Sequence, residues 1–313
     1  VTVQIKPRVL VTAADLAPAA LAVLRDYQVV YAGARFTEAQ LVALVAEHDP
    51  VALIVRYGQI SAPVIHAGQS LRVIAKHGSG IDNIDSAAAR ARGITVKAAV
   101  GVNAAAVAEH TLALLLACAK SVVDLNARMH AGHWDKPTHK SLELCGKTLG
   151  LIGLGAIGLR VARLANAMGM RVLGYDPYAR NLPAGITPVA LADLWRAADV
   201  ISLHAPLTDD TRGIVNTDTL ACCRDGVILL NTARGGLIDE PALLAAVRSR
   251  KVACAGLDSF AQEPPPADHP FFGEPHFILS PHIGGVTQDA YVNMGVTTAR
   301  NVIAVLHGKE TTL

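Results

Sequence analysis

The run Gly153-Leu154-Gly155-Ala156-Ile157-Gly158 constrains this chain more than any other stretch, because of what stands on either side of it. Upstream, Lys147-Thr148-Leu149-Gly150-Leu151-Ile152 reads as a short buried strand, and downstream Leu159 to Met168 repeats apolar residues at helical spacing. Three glycines between a strand and a helix describe a tight crossover. The first permits the turn, the second lets backbone approach a pyrophosphate, and the third lets the helix lie close on the strand. The first helical N–H groups, those around Ala156 and Ile157, then face the phosphates together with the positive end of the helix dipole. Arg171-Val172-Leu173-Gly174-Tyr175-Asp176 is the expected second strand, and Asp176 at its end can accept both hydroxyls of a ribose. A carboxylate there repels a 2′-phosphate, so the expected cofactor is NAD rather than NADP. A merely structural glycine turn beside a solvated aspartate would leave the joint occurrence of strand, helix and acid unexplained.

With 313 residues the chain is long enough for two domains, and 51% hydrophobic with 17% charged residues is the composition of a folded globular protein. The net charge of +2 is spread without a block of like sign, which argues against nucleic acid or an anionic membrane as the main partner and leaves room for a small anion. The longest apolar stretch, Thr111 to Ala119, is short for a membrane span, and the opening Val1-Thr2-Val3-Gln4-Ile5-Lys6 has no signal-peptide core. A cytoplasmic protein is expected. Cys118, Cys145, Cys222, Cys223 and Cys254 form no CxxC pair and read as buried thiols in a reducing compartment. His130, His133 and His139, near Trp134, lack cysteine or carboxylate at ligand spacing, so they read as a surface loop and no metal is expected.

Strand-like and helix-like segments alternate from end to end, which predicts an α/β fold with parallel sheets covered by helices on both faces. In the first hundred residues the strand candidates are Arg8 to Thr12, Gln28 to Tyr31, Val51 to Val55, Leu71 to Ala75 and Ile94 to Val96. Helices are expected over Leu16 to Leu24, Glu38 to Ala46, Ala62 to Ala67 and Ile84 to Arg92. A second set of strands lies near Leu149–Ile152, Arg171–Tyr175, Val200–His204, Val227–Asn231, Ala253–Leu257 and Phe277–Leu279, the number a complete dinucleotide fold requires. One long helix is expected over Ala104 to Val123. The last helix, Asp289 to Leu306, has no place in a completed Rossmann sheet and is assigned back to the first domain. The expected division is thus a smaller flavodoxin-like domain of residues 1–100 with 287–313, and a doubly wound Rossmann domain of residues 101–286. A cleft between two such domains is a common home for a cofactor and a small substrate.

Three motifs follow successive strands of the second set. Asn231-Thr232-Ala233-Arg234-Gly235-Gly236 carries an arginine whose planar fork suits a carboxylate and stays charged at any working pH. Gly256-Leu257-Asp258-Ser259-Phe260-Ala261-Gln262-Glu263-Pro264 and Ser280-Pro281-His282-Ile283-Gly284-Gly285 bring an acid and a histidine to neighbouring strand ends. A carboxylate beside His282 favours the imidazolium, which can donate a proton to a carbonyl and in the reverse direction serve as base towards a hydroxyl. In the first domain, glycines flank Ser79 in Lys76-His77-Gly78-Ser79-Gly80-Ile81-Asp82-Asn83, leaving backbone N–H groups open as a nest for a carboxylate. Asp82 is expected to cap the helix that follows. Arg56, after Leu53-Ile54-Val55, either reaches the distal group of a substrate or is a plain surface residue.

With these motifs in this order, the chain resembles the D-isomer-specific 2-hydroxyacid dehydrogenase family over nearly its whole length. The resemblance implies Arg234 as the substrate-binding catalytic arginine, Glu263 and His282 as the acid/base pair, and Asp258 at the position that binds the nicotinamide amide. It also places Thr232 and Ala233 beside the cofactor and Ser79 and Gly80 on the substrate carboxylate. It implies NAD-dependent hydride exchange between a small 2-oxo acid and a D-2-hydroxy acid, with 3-phosphoglycerate as the first substrate candidate and glyoxylate or hydroxypyruvate next. A homodimer joined through an arm of about residues 104–145 is implied as well. Ser259 stands where the family commonly has valine, and Lys76-His77 replaces a more usual arginine and small residue. The sequence stops soon after the last helix, so no regulatory domain is expected. Formate dehydrogenase shares the scaffold and the arginine, but Glu263 argues against it. An NADH-sensing protein of corepressor type is the rival outside enzymes, and the complete Arg, Glu and His set favours catalysis.

Overall fold

The computed structural model describes residues 6–308 and separates them into two compact units. One takes the chain up to Asn103 and again from Val286; the other is Ala104–Gly285.

The first unit alternates β1 (Arg8–Val11), α1 (Pro18–Val23), β2 (Gln28–Tyr31), α2 (Glu38–His48), β3 (Ala52–Val55), α3 (Ala62–Ala67), β4 (Val73–Lys76), α4 (Ser86–Ala91) and β5 (Thr95–Ala98). The strands form one parallel sheet in the order β2-β1-β3-β4-β5. Both faces are covered, so β3 is apolar and buried at every position. Alternation sends Leu10, Leu53 and Ile74 to one core and Val9, Val11 and Ile54 to the other. Each such side chain, fully buried, stabilises by roughly 1.5–3 kcal/mol relative to exposure. A capping box starts α2: the Thr37 hydroxyl accepts the Gln40 N–H and the Gln40 side chain accepts the Thr37 N–H. The cap of α4 is Asp85, which accepts the Ala88 N–H at 2.9 Å, and not the expected Asp82. Ile84 is the reason. It is buried and bridges to Ile60, whose carbonyl accepts the Asp85 N–H, so Asp82 and Asn83 form a separate turn, closed by the Ile84 N–H on the Ile81 carbonyl, and the helix starts later.

The second unit opens with α5 (Ala104–Lys120) and α6 (Val122–His130), continues through β6 (Thr148–Ile152), α7 (Ala156–Ala167), β7 (Arg171–Tyr175), β8 (Ile186–Pro188), α8 (Leu191–Ala197), β9 (Val200–Leu203), α9 (Thr217–Cys222), β10 (Val227–Asn231) and α10 (Glu240–Arg248), and ends with β11 (Val252–Leu257) and β12 (Phe277–Leu279). Its parallel sheet runs β12-β11-β10-β9-β6-β7-β8. The strand order reverses between β6 and β9, where open α/β sheets bind ligands beyond the carboxyl ends of the strands. β8 is an edge strand that the hydrophobic pattern does not announce: it has three residues, two of them exposed, and ends in Pro188.

The expected single helix over Ala104 to Val123 is two helices bent by 62° at Ser121, which adopts φ +52°. α5 buries a continuous apolar face against α7, β11 and β10, whereas α6 buries no residue, so the packing that sustains a straight helix stops at Lys120. Among the described residues no single helix is long and apolar enough to cross a membrane. The cysteines depart from expectation too: Cys118 and Cys223 are buried and Cys254 partly so, but Cys145 and Cys222 are exposed. The final helix, α11 (Gln288–Leu306), packs on α1 and β4 of the first unit and buries Ala299 and Val302 in its core.

Candidate active site

The glycine run connects β6 to α7 with no room for larger residues at its ends. Gly153 has φ +95°, and a Cβ on Gly158 would lie 2.2 Å from the Gly153 carbonyl oxygen. Gly155 is the opposite case. A Cβ there would meet nothing within 4 Å, so the backbone at the start of α7 faces open space, with no side chain capping its N–H groups. At the end of β7 the Asp176 carboxylate accepts the Leu154 N–H at 2.8 Å through Oδ2, and the Tyr178 and Ala179 N–H groups through Oδ1. These bonds fix the carboxylate next to the glycine run and leave acceptor capacity on Oδ2. An open helix N-terminus beside an oriented carboxylate fits a dinucleotide: the first for its pyrophosphate, the second for its ribose hydroxyls. His204, after β9, backs the same turn. Burial pushes its pKa down to about 4, so the imidazole there is neutral near pH 7.

The three motif loops leave adjacent strands, since Asn231 pairs with Leu257 and Leu257 with Leu279. Asn231 organises the first loop by accepting the Ala233 N–H and donating to the Arg234 carbonyl. Gly235 then lies so close to Phe260 that a Cβ would fall 1.9 Å from its carbonyl carbon. That contact places the Arg234 loop directly against the loop carrying Glu263. Arg234 itself donates through Nη1 to the Ala233 carbonyl at 2.7 Å and is partly exposed.

His282 and Glu263 form a hydrogen bond of 2.7 Å between Nδ1 and Oε2. The other oxygen of Glu263 accepts the Phe260 N–H at 3.1 Å. A carboxylate can only accept, so Nδ1 is the donor, and Nε2 of His282 is left as the ring atom for chemistry. Burial by itself would raise the Glu263 pKa, but the hydrogen bonds from His282 and Phe260, with the charges of His282 and Arg234, outweigh it and hold the pKa below the usual carboxylate range. The side chains of His282 and Glu263 remain 45% and 38% exposed, so the pair is reachable by a small molecule.

Asp258 is buried, and its carboxylate accepts from the Ser280 hydroxyl, the Ile283 N–H and the Gly284 N–H. Thr232 is also buried, and its hydroxyl meets that of Thr111 at 2.8 Å. Because Thr111 donates to the Val107 carbonyl, it accepts from Thr232, whose proton is thereby used within the protein. Ala233 is partly exposed beside it.

In the first unit, Ser79 is exposed and Gly80 partly so, after Gly78 at φ +146°. The Ser79 hydroxyl is within 3.3 Å of the Asn103 side chain. Arg56 leaves β3 and pairs with Asp15, which leaves β1; it also donates to the Asp15 carbonyl at 3.0 Å. Its guanidinium lies 5.3 Å from the Tyr57 ring centre and 4.9 Å from that of Tyr291, so only 14% of the side chain is exposed. His77 is buried with no partner for Nε2, and burial with the Arg56 charge pushes its pKa down to about 4.

His110, which bonds Ser280, and Asp15, which pairs with Arg56, lie outside the sequence motifs, and Asn231 and Ser280 lie inside them with no role assigned from sequence. A signal exists for one of them: Glu109, His110 and Thr111 interrupt an otherwise apolar helix. Among the described residues no three His, Cys, Asp or Glu side chains come together to hold a metal ion.

Comparison with known proteins bears on these motifs. Residues 112–284 match the family model "D-isomer specific 2-hydroxyacid dehydrogenase, NAD binding domain". Hydroxypyruvate reductase of Thermotoga maritima is 41% identical over 270 residues, covering 85% of this chain and 88% of that protein. D-3-phosphoglycerate dehydrogenase of Archaeoglobus fulgidus is 39% identical over 261 residues, covering 82% of this chain but only 50% of that protein. The TT0316 protein from Thermus thermophilus has a similar structure, with a TM-score of 0.90 at 40% identity, covering 97% of this chain and 98% of that one. The chain belongs to the D-isomer-specific 2-hydroxyacid dehydrogenase family and is an NAD-dependent oxidoreductase.

Proposed function

We propose that this chain reduces a small unphosphorylated 2-oxo acid, glyoxylate or hydroxypyruvate, to the D-2-hydroxy acid, with Arg234, Glu263 and His282 as its catalytic residues. The observation that carries the residue roles is the 2.7 Å bond between His282 and Glu263, with Arg234 on the neighbouring loop. NADH, when bound, supplies hydride to C2 of the oxo acid. Arg234 holds the substrate carboxylate and polarises the carbonyl, so that negative charge growing on its oxygen meets a guanidinium. His282, fixed by Glu263 through Nδ1, gives the Nε2 proton to that oxygen, and in the oxidative direction takes it back from the hydroxyl. Gly155, Ala156, Ile157 and Gly158 are the proposed pyrophosphate contacts and Asp176 the ribose contact. Ser79 and Gly80 are the proposed contribution of the first unit to the carboxylate.

The preference for an unphosphorylated substrate rests on Arg56. Its guanidinium is paired with Asp15, whose side chain is 69% exposed, so an approaching phosphate would meet a carboxylate before it met the arginine. Phosphohydroxypyruvate is the second reading, favoured by the relatives named D-3-phosphoglycerate dehydrogenase. A homodimer through the arm is proposed on the exposed apolar surface of Val122, Val123, Met129 and Trp134. A cytoplasmic location is proposed on the five free thiols.

The test is NADH oxidation by the purified protein against glyoxylate, hydroxypyruvate and phosphohydroxypyruvate. Higher kcat/KM for the first two supports the leading reading; highest kcat/KM for the phosphorylated acid replaces it with the second. Tight NADH binding without turnover of any of them would move the protein to a sensing role.

A further inference from the structure

Asp258 is 2% exposed, and a buried carboxylate is stable only with its lone pairs occupied by well-placed donors. Oδ1 has two of them, the Ser280 hydroxyl at 2.6 Å and the Ile283 N–H at 2.9 Å. Oδ2 has the Gly284 N–H at 2.7 Å. The turn that carries His282 is thus tied to Asp258 on both sides. His282 needs such a tie, because its φ of +54° is a conformation that residues with a Cβ rarely adopt.

Proton bookkeeping adds a residue from a different element. Ser280 Oγ lies 2.8 Å from Nε2 of His110, on α5. The Ser280 proton points to the carboxylate, so Oγ accepts, and His110 Nε2 must be the donor. The result is a directed chain, His110 Nε2–H to Ser280 Oγ–H to Asp258 Oδ1, with His110 Nε2 itself 3.4 Å from the same oxygen. The chain concentrates the internal donors on Oδ1. Oδ2 keeps one unfilled acceptor position, and the carboxylate cannot rotate to lose it without breaking bonds to Ser280, Ile283 and Gly284.

We propose that His110 and Ser280 are positioning residues that act through Asp258: they reserve Oδ2 as an acceptor for the amide N–H of the nicotinamide and hold the His282 turn. This rests on the reading that Asp258 faces the nicotinamide, and the experiment separates the two. Binding would be measured by calorimetry, without turnover, for NADH, for the reduced 3-acetylpyridine analogue, whose ketone replaces the amide and donates no hydrogen bond, and for ADP-ribose, which lacks the nicotinamide. The proteins are wild type, Ser280→Ala, Ser280→Thr, His110→Leu and Asp258→Asn.

In Ser280→Ala and His110→Leu, NADH affinity should fall about tenfold, the size of one lost hydrogen bond to a charged group. ADP-ribose affinity should not change, and the preference for NADH over the acetylpyridine analogue should shrink. Ser280→Thr, which keeps the hydroxyl, should restore both quantities. If Asp258→Asn removes the preference while Ser280→Ala and His110→Leu keep it at the wild-type value, the positioning role is wrong and the reading of Asp258 survives. If Asp258→Asn keeps the preference, the reading of Asp258 is wrong and the proposal goes with it. Equal losses for ADP-ribose and NADH would mean a general structural defect and would also overturn the proposal.

Discussion

The two units are both parallel α/β sheets with their reversal points at the carboxyl ends of strands, yet they treat the polar groups at those ends in opposite ways. In the second unit Gly155 opens onto empty space, and His282 and Glu263 pair with each other while staying half exposed. In the first unit the order β2-β1-β3-β4-β5 puts the reversal between β1 and β3, where Asp15 and Arg56 emerge. There Arg56 is neutralised by Asp15 and stacked between two tyrosines, and His77 is buried after β4 with an unpartnered nitrogen. A fold supplies a crevice, but only groups left with unsatisfied valence towards solvent make it reactive. The second sheet keeps the His282–Glu263 pair within reach of a solute, whereas the first commits Arg56 to Asp15 and buries His77.

If that contrast is functional, substitutions at the two reversal points must differ in scale. His282→Ala removes the proposed proton donor, for which general acid catalysis sets a loss of roughly 10²–10⁴ in kcat. Arg234→Ala should cost at least as much in kcat/KM, since it removes both proposed roles of the guanidinium, carboxylate binding and carbonyl polarisation. Arg56→Ala should lower kcat/KM for glyoxylate by less than about tenfold, because its charge is already committed to Asp15. Steady-state kinetics of the three variants decides the matter, and comparable losses at Arg56 and His282 would erase the distinction between the units.

Acid stability gives a test in which the units should behave alike. His77 and His204 are both held near pKa 4 in the folded protein by burial, against 6.5 for an ordinary histidine. Between those values the unfolded chain binds more protons than the folded one, so stability is complete above about pH 6.5 and declines as pH falls towards 4. Each histidine accounts for on the order of 3 kcal/mol of that decline as an upper bound. Replacing His77 by Phe should flatten the fall in denaturation midpoint between pH 6.5 and 4, and His204→Phe should do so independently. Glu263 adds a loss of the same sign at lower pH: its folded pKa is depressed, so its contribution is present above the unfolded carboxylate range and vanishes as pH falls through the folded value. An unchanged acid limb in both histidine variants would show that neither imidazole is held neutral by the fold.

What the sequence discloses, and what it conceals, follows the range of the interactions. The glycine run is legible because tight turn, helix start and strand end all fall within a dozen residues, each with its own local requirement. Arg234, Glu263 and His282 are legible because parallel topology takes consecutive strand ends to one sheet edge. The Asp15–Arg56 pair and the His110–Ser280–Asp258 chain are not, because their members are separated by long stretches and meet only after the sheets assemble. The α4 cap departs from expectation because the burial of Ile84 against Ile60 overrides the local preference of Asp82. The break at Ser121 is hidden in the sequence because α6 begins with two more apolar residues, Val122 and Val123, which are exposed.

At the glycine run the comparison sharpens into cofactor choice. Asp176 is held by three backbone N–H groups and cannot swing away from an added charge. A 2′-phosphate would approach a fixed carboxylate, a like-charge contact that costs several kcal/mol when partly desolvated. Asp176→Ala should therefore raise the NADP/NAD ratio of kcat/KM by roughly ten- to a hundredfold. An unchanged ratio would place the discrimination outside β7.

The smallest expected effect lies at the reversal point of the first unit and concerns Asp15. Its side chain is 69% exposed, so its field on an incoming anion is weakened by water: about 1 kcal/mol per pair of unit charges at 4 Å. For a phosphate dianion that is about 2 kcal/mol, which physiological salt reduces to roughly a tenfold penalty that hydroxypyruvate, with no charge at its distal end, does not meet. Asp15→Asn removes the penalty and keeps a hydrogen-bond acceptor for Arg56. The kcat/KM ratio of phosphohydroxypyruvate to hydroxypyruvate should then rise up to about tenfold, and the gain should shrink as salt screens the exposed charge. A ratio that stays put while Arg56→Ala lowers turnover of the phosphorylated acid alone would mean that Arg56 reaches the phosphate despite its partner, and the first sheet would then be as open to anions as the second.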